Sequence, residues 1–209
     1  MMDPRIYLAS RSPRRRELLA QVGVRFDLLL FRLPPRDDAE VNEDWLPGET
    51  PDAYVQRVAR AKAEFGADLI ARRGIVARPV LAADTTLDVD GEVIGKPRGE
   101  ADAEAILARL SGRSHRVLTA IAMARGERVE HRLSVSEVRF RPIGADEIRR
   151  YVQSGEPMDK AGAYAIQGRG AVFIAALEGS YSGVMGLPLF ETAGLLAAAG
   201  IPCWEAAGA

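Results

Sequence analysis

The stretch Pro79-Val80-Leu81-Ala82-Ala83-Asp84-Thr85-Thr86-Leu87-Asp88-Val89-Asp90-Gly91-Glu92-Val93-Ile94 decides the fold class. Residues 79–83 form a short unbroken apolar run, which reads as a buried strand ending at Asp84. Residues 86–89 and 92–94 flank Asp90-Gly91, a dipeptide suited to a tight hairpin turn. Outward from this stretch, strand and helix patterns interleave. Residues 6–9 and 26–31 read as strands. Between them Ser12-Pro13 opens a helix to about residue 22, with Ser as N-cap and Pro at the first helical position. A second helix starts at Thr50-Pro51 and runs towards Ile70. A third covers residues 101–110 and stops at Ser111-Gly112. Residues 115–123 and 128–140 read as two long strands joined at Arg125-Gly126. Helices over 145–153 and 187–199 bracket a strand over 171–176. Two hairpins within an interleaved α/β pattern predict a mixed, twisted β-sheet flanked by helices. The 209 residues suffice for one domain with a sizeable core and no independent linker.

The composition, 47% apolar and 27% charged, is that of an ordinary globular protein, and the net charge of −1 argues against a nucleic-acid coat. A single-stranded nucleic-acid binder would need stacking platforms along a basic groove, and aromatics make up only 6%. The lone Cys203 cannot form an internal disulfide, which fits a reducing cytoplasm. No apolar run is long enough for a signal peptide or a membrane span. The basic residues are 25 Arg and only three Lys: Lys62, Lys96 and Lys160. In a chain that uses Arg almost everywhere, a retained Lys marks a place where a compact ammonium serves better than a planar fork, such as a phosphate oxygen.

Three segments carry candidate chemistry. Ser10-Arg11-Ser12-Pro13-Arg14-Arg15-Arg16 lies where a strand meets a helix N-terminus. Free amides point outward there, and three Arg oppose the helix dipole unless an anion docks among them. It lacks the glycines of a Walker A loop. Asp84, at a strand's carboxyl edge, could hold Mg²⁺ or orient an attacking water; its plainer role is to cap a turn. The acidic loop over residues 32–51 includes Asp37, Asp38, Glu40 and Glu43, a source of a second carboxylate for the same metal. His115 and His131 sit in strand-like sequence and read as structural or exposed.

Ser10-x-Ser12-Pro13-Arg14-Arg15, Ala83-Asp84-Thr85, Gly95-Lys96-Pro97, Leu110-Ser111-Gly112-Arg113 and Asp159-Lys160-Ala161-Gly162-Ala163-Tyr164 with Gln167-Gly168 together resemble the Maf family of nucleoside triphosphate pyrophosphatases. The resemblance implies an inosine-triphosphatase-like α/β fold with two lobes around a deep cleft, a requirement for Mg²⁺ or Mn²⁺, and a homodimer. It implies that Ser12, Arg14, Arg15, Lys62 and Lys96 bind phosphates. It makes Asp84, Glu43 and Lys96 catalytic, with Asp84 and Glu43 holding the metal. Thr85, Asp159, Lys160 and Gln167 would line the base-recognition side. Arg14 after Pro13, and Asp159-Lys160 before Ala161-Gly162, resemble the branch acting on TTP and UTP. The alternatives are the sibling branch acting on 7-methylguanosine triphosphate and a non-catalytic nucleotide-binding regulator of septation. Asn42 stands where many members carry an acid beside Glu43, which leaves the number of metal ions open.

Overall fold

The computed structural model describes residues 5–31 and 41–204. Asp37, Asp38 and Glu40 of the acidic loop lie outside the described residues. The chain runs β1 (Ile6–Leu8), α1 (Pro13–Gln21), β2 (Phe26–Leu28), α2 (Pro51–Arg73), β3 (Val80–Val89), β4 (Glu92–Ile94), α3 (Glu100–Leu110), β5 (Ser114–Arg125), β6 (Arg128–Phe140), α4 (Ala145–Val152), β7 (Ile174–Glu178), α5 (Tyr181–Met185) and α6 (Leu189–Ala198). Among the described residues the strands form one seven-stranded mixed sheet in the order β2-β1-β3-β5-β6-β7, with β4 also paired to β3. β1 is parallel to both its neighbours, and the remaining pairings are antiparallel. The expected mixed α/β sheet is therefore observed.

Two expectations are corrected. Asp84 does not end a strand; it lies in the middle of the ten-residue β3. The two stretches expected as separate strands are one, because β5 pairs with β3 without a break from Val80 to Asp88. The other edge of β3 is interrupted instead. β1 pairs only with Val80 and Leu81, and β4 only from Leu87 onward. Residues 82–86 thus have a strand on one side and none on the other. A second correction concerns residues 171–176: Arg169–Phe173 is a 3₁₀ turn, and the strand begins at Ile174. Apolar content alone does not separate a buried 3₁₀ turn from a strand.

Strand alternation sorts the side chains of β3 onto two faces. Val80 and Ala82, with Leu118, Ala120 and Ala122 of β5, pack under Val55, Ala59 and Ala63 of α2. These are small residues, and a Cβ at Gly66 would lie 2.8 Å from Val80, so α2 sits close on the sheet. On the opposite face Leu81, Ala83, Ile121 and Met123 meet Leu18 and Leu19 of α1 and Leu195 and Leu196 of α6. Further along that face, Leu87, Val89, Val117 and Phe140 form a separate core with α3 and α4. Between these two cores runs a row of hydroxyls, since Thr85 opposes Thr119 and Thr119 opposes Ser134. Thr119 and Ser134 are buried, and buried hydroxyls must be paired. Thr119 donates to the carbonyl of Gly183 at 2.8 Å, and the amide of Ser180 donates to Ser136 Oγ at 2.9 Å. The polar row separates the two apolar cores on this face of the sheet, and the segment carrying α5 is tied over the division. Among the described residues no helix is long and apolar enough to cross a membrane.

Gly162 closes the third core. Its φ is +72°, its amide donates to the carbonyl of Gly95 at 3.0 Å, and an added Cβ would come within 2.2 Å of Leu87. Gly162→Ala should therefore destabilise the protein by roughly 2–4 kcal/mol, from backbone strain and overpacking together; urea unfolding checks this, and an unchanged midpoint would contradict it.

His115 is buried against Phe140 and Tyr164, with Nε2 and the Tyr164 hydroxyl 2.9 Å apart. Burial pushes its pKa down to about 4. The unfolded chain takes up this proton near pH 6.5, the folded chain only near pH 4. His115 therefore costs no stability above pH 6.5 and removes roughly 3 kcal/mol as the pH falls to 4. His115→Gln should flatten the stability profile across that window. Parallel profiles for the two proteins would contradict this.

Candidate active site

The gap on the edge of β3 opens into a cavity of about 640 Å³. Its floor is residues 83–87 of β3, and its walls come from the start of α1, from α2, and from the segments around Lys96, residues 159–167 and residues 184–186. Every residue given a site role by the family resemblance lines it: Ser12, Arg14, Arg15, Glu43, Lys62, Asp84, Thr85, Lys96, Asp159, Lys160 and Gln167.

Asp84 points to the α2 face of the sheet, as its parity with Ala82 requires. Because α2 packs closely there, Lys62 Nζ reaches Asp84 Oδ1 at 2.8 Å and Glu43 Oε1 at 2.9 Å. The Lys62 and Asp84 side chains are 16% and 11% exposed, while Glu43 is 56% exposed. Two carboxylates thus converge on one ammonium, an arrangement of net charge −1 that would repel a triphosphate unless further cations were present. Those cations surround it. Lys96 is solvent-exposed at the rim and has no ion pair among the described residues. Arg14 lies on the α1 side and Lys160 on the far wall.

Thr85 points to the opposite face, towards Arg15. That guanidinium donates from Nε to the carbonyl of Gly186 at 2.7 Å, from Nη1 to the carbonyl of Ala83 at 2.8 Å, and from Nη2 to Thr85 Oγ1 at 3.1 Å. Arg15 therefore satisfies the Ala83 carbonyl where β3 lacks a neighbouring strand. Burial pulls its pKa down, and the Asp84 carboxylate acts in the other direction. Gly186 adopts φ +117°, a conformation that favours glycine and turns its carbonyl to Arg15. Ser12 occupies the N-cap of α1, but its hydroxyl makes no capping bond and the first turn has no acidic residue. The polar end of α1 is left to whatever enters the cavity.

Arg14 Nη1 reaches across the cavity to Asp159 Oδ2 at 3.3 Å. Asp159 also pairs with Lys160, whose Nζ donates to the carbonyl of Glu156 at 2.8 Å. Glu156 in turn accepts from Tyr151 at 2.8 Å and from the amides of Arg169 and Gly170 at 3.0 and 3.1 Å. Its carboxylate sits beneath the turn that carries Gln167 into the cavity. Burial would raise the Glu156 pKa, but the two amides and the Tyr151 hydroxyl outweigh it and hold the group below the usual carboxylate range.

Sequence reasoning missed several supporting residues. Tyr54 lines the cavity and donates to the carbonyl of Glu43 at 3.0 Å. Burial first, then the Asp84 and Glu43 carboxylates, push its pKa up to about 12, so the phenol stays a donor. Arg57, Glu49, Thr119 and Glu156 also support the site, and no local motif marks them. Only the fold brings them to it.

A family model described as Maf-like protein matches residues 5–199. A dTTP/UTP pyrophosphatase of Aromatoleum aromaticum is 60% identical over 202 residues, covering 96% of this chain and 98% of that protein. Those of Dechloromonas aromatica and Burkholderia lata are 60% and 58% identical, covering 92% and 94% of this chain and 96% and 93% of theirs. Among solved structures, the Staphylococcus aureus Ham1 protein overlaps 65% of this chain and 71% of its own, at 18% identity and a TM-score of 0.43. From a match spanning nearly every described residue, and relatives alike over almost their whole length, it follows that the chain belongs to the Maf family.

Proposed function

We propose that this chain is a nucleoside triphosphate pyrophosphatase that hydrolyses dTTP and UTP to the monophosphate and pyrophosphate. The observation that carries the reading is Lys62 bridging Asp84 and Glu43 within a cavity also lined by Arg14, Lys96 and Lys160. The volume, about 640 Å³, suits a nucleotide. The relatives' activity supports the choice of dTTP and UTP.

Two carboxylate oxygens close enough to share one ammonium also make a donor pair for one hard divalent ion. Mg²⁺ needs only one or two protein carboxylates when phosphate and water complete its shell. With Asp84 and Glu43 as the donors, substrate phosphate and water would complete that shell. Mg²⁺ or Mn²⁺ held by Asp84 and Glu43 would neutralise phosphate charge and acidify a water.

The proton of the attacking water passes to the Asp84 carboxylate, which Lys62 holds in place. The water oxygen bonds to the α-phosphorus as the bond to the bridging β-oxygen breaks, and pyrophosphate leaves. Lys96, Arg14, the Ser12 hydroxyl and the free amides of α1 receive the phosphates, while Lys62 steadies charge beside Asp84. Arg15 adds charge beside the floor of the cavity, where its guanidinium also donates to Gly186, Ala83 and Thr85. Asp159, Lys160 and Gln167 form the wall that meets the base, and Thr85 closes its floor.

Pyrophosphate release from dTTP and UTP with Mg²⁺ or Mn²⁺ is the expected result. Asp84→Asn should lower kcat by ~10²–10⁴-fold while nucleotide still binds. Absence of pyrophosphate from both nucleotides, or near-native turnover by the variant, would contradict the proposal.

A further inference from the structure

Glu43 belongs to residues 41–50, which form neither helix nor strand, and 56% of its side chain is open to solvent. Packing therefore does not aim this carboxylate; its backbone must be held in some other way. Arg57 of α2 donates from Nη1 to the carbonyl of Asn42 at 2.9 Å and from Nη2 to the carbonyl of Asp44 at 2.8 Å. Tyr54, one turn earlier on the same face, donates to the carbonyl of Glu43 itself at 3.0 Å. Three consecutive carbonyls, one on each side of Glu43 and its own, are thus gripped from one helix.

The guanidinium is itself fixed. Its Nε and Nη2 meet the two oxygens of Glu49 at 2.6 and 2.9 Å, and Glu49 also accepts from the amide of Leu46 at 3.2 Å. That carboxylate closes the segment back onto the clamp and neutralises its charge. The same helix supplies Lys62, which meets Glu43 on its other side.

We propose that Arg57 is a positioning residue for hydrolysis, holding the backbone on both sides of Glu43 so that its carboxylate meets Lys62 and Asp84. This rests on the reading that Glu43 works beside Asp84. A planar fork can span two carbonyls and a carboxylate at once, and a lysine ammonium cannot. Arg57→Lys keeps the charge and loses the span.

The test is a cycle of wild type, Arg57→Lys, Glu43→Gln and the double variant, with kcat and KM for dTTP. Amide hydrogen exchange over residues 42–46 and thermal unfolding are measured alongside. Arg57→Lys should lower kcat roughly 10–100-fold and speed exchange in that segment, as expected when a reacting group is displaced by about 1 Å. In the Glu43→Gln background the same change should cost little more, because both act through one carboxylate. Multiplying losses, unchanged exchange, or wild-type kcat in Arg57→Lys would overturn the role. Should Arg57→Lys fail to fold, Glu49→Gln loosens the same clamp. It should then give a smaller loss with the same non-additivity, and multiplying losses would again overturn the role. Wild type that turns over dTTP while Glu43→Gln matches it would overturn the role alone. Wild type inert towards dTTP and UTP would overturn the proposed function, and this role with it.

Discussion

The site depends on an interruption in hydrogen bonding along one edge of β3. β1 stops pairing at Leu81 and β4 starts at Leu87, so the backbone between them faces open space in the middle of a sheet. Unpaired buried backbone groups are costly, and an edge left bare invites wrong pairing. Arg15 closes the gap by taking the carbonyl of Ala83, the hydroxyl of Thr85 and the carbonyl of Gly186. One side chain thereby joins the start of α1, the floor of the cavity and the segment after α5. Removing a partly buried guanidinium at such a junction would strip the Ala83 and Gly186 carbonyls of this donor, at about 1–3 kcal/mol for each one left unpaired. The gap that makes room for a ligand and the residue that stabilises the gap are inseparable.

The alternation of β3 then divides the work between its faces. Asp84 turns to α2, where small residues let the helix approach and bring Lys62 within 2.8 Å. Thr85 turns to Arg15, beside the row of hydroxyls that splits the apolar interior. Asp84, Lys62, Arg14 and Arg15 thus rise from one strand and its two neighbouring helices, on rigid elements that cost little reorganisation when charge develops. Glu43, which also comes from irregular backbone, is held by Tyr54 and Arg57. Beneath the opposite wall, Glu156 performs a comparable service with two backbone amides.

Much of this was legible in the sequence for identifiable reasons. Periodicity and turn chemistry located most elements, because they are local properties. Asp90-Gly91 marked its hairpin, and Ser12-Pro13 marked the start of α1. The scarcity of Lys pointed to Lys62, Lys96 and Lys160, and all three line the cavity. What local pattern could not supply was register. Nothing in residues 79–89 says that pairing with β1 stops at Leu81, so Asp84 read as the end of a strand although it lies in the middle of one. Arg15 read as a phosphate ligand because Arg beside a helix N-terminus usually suggests an anion; its bonds to backbone carbonyls far away in sequence had no local signal. Arg57 carried no signal at all, since a single Arg on an exposed helix face has the appearance of any solvated charge.

The central claim, that groups gathered on β3 and α2 direct water to the α-phosphorus, is tested most directly by hydrolysing dTTP in ¹⁸O-labelled water and locating the label in the products. The account predicts ¹⁸O in the monophosphate and none in pyrophosphate. Label in pyrophosphate, or release of inorganic phosphate in place of pyrophosphate, would contradict it.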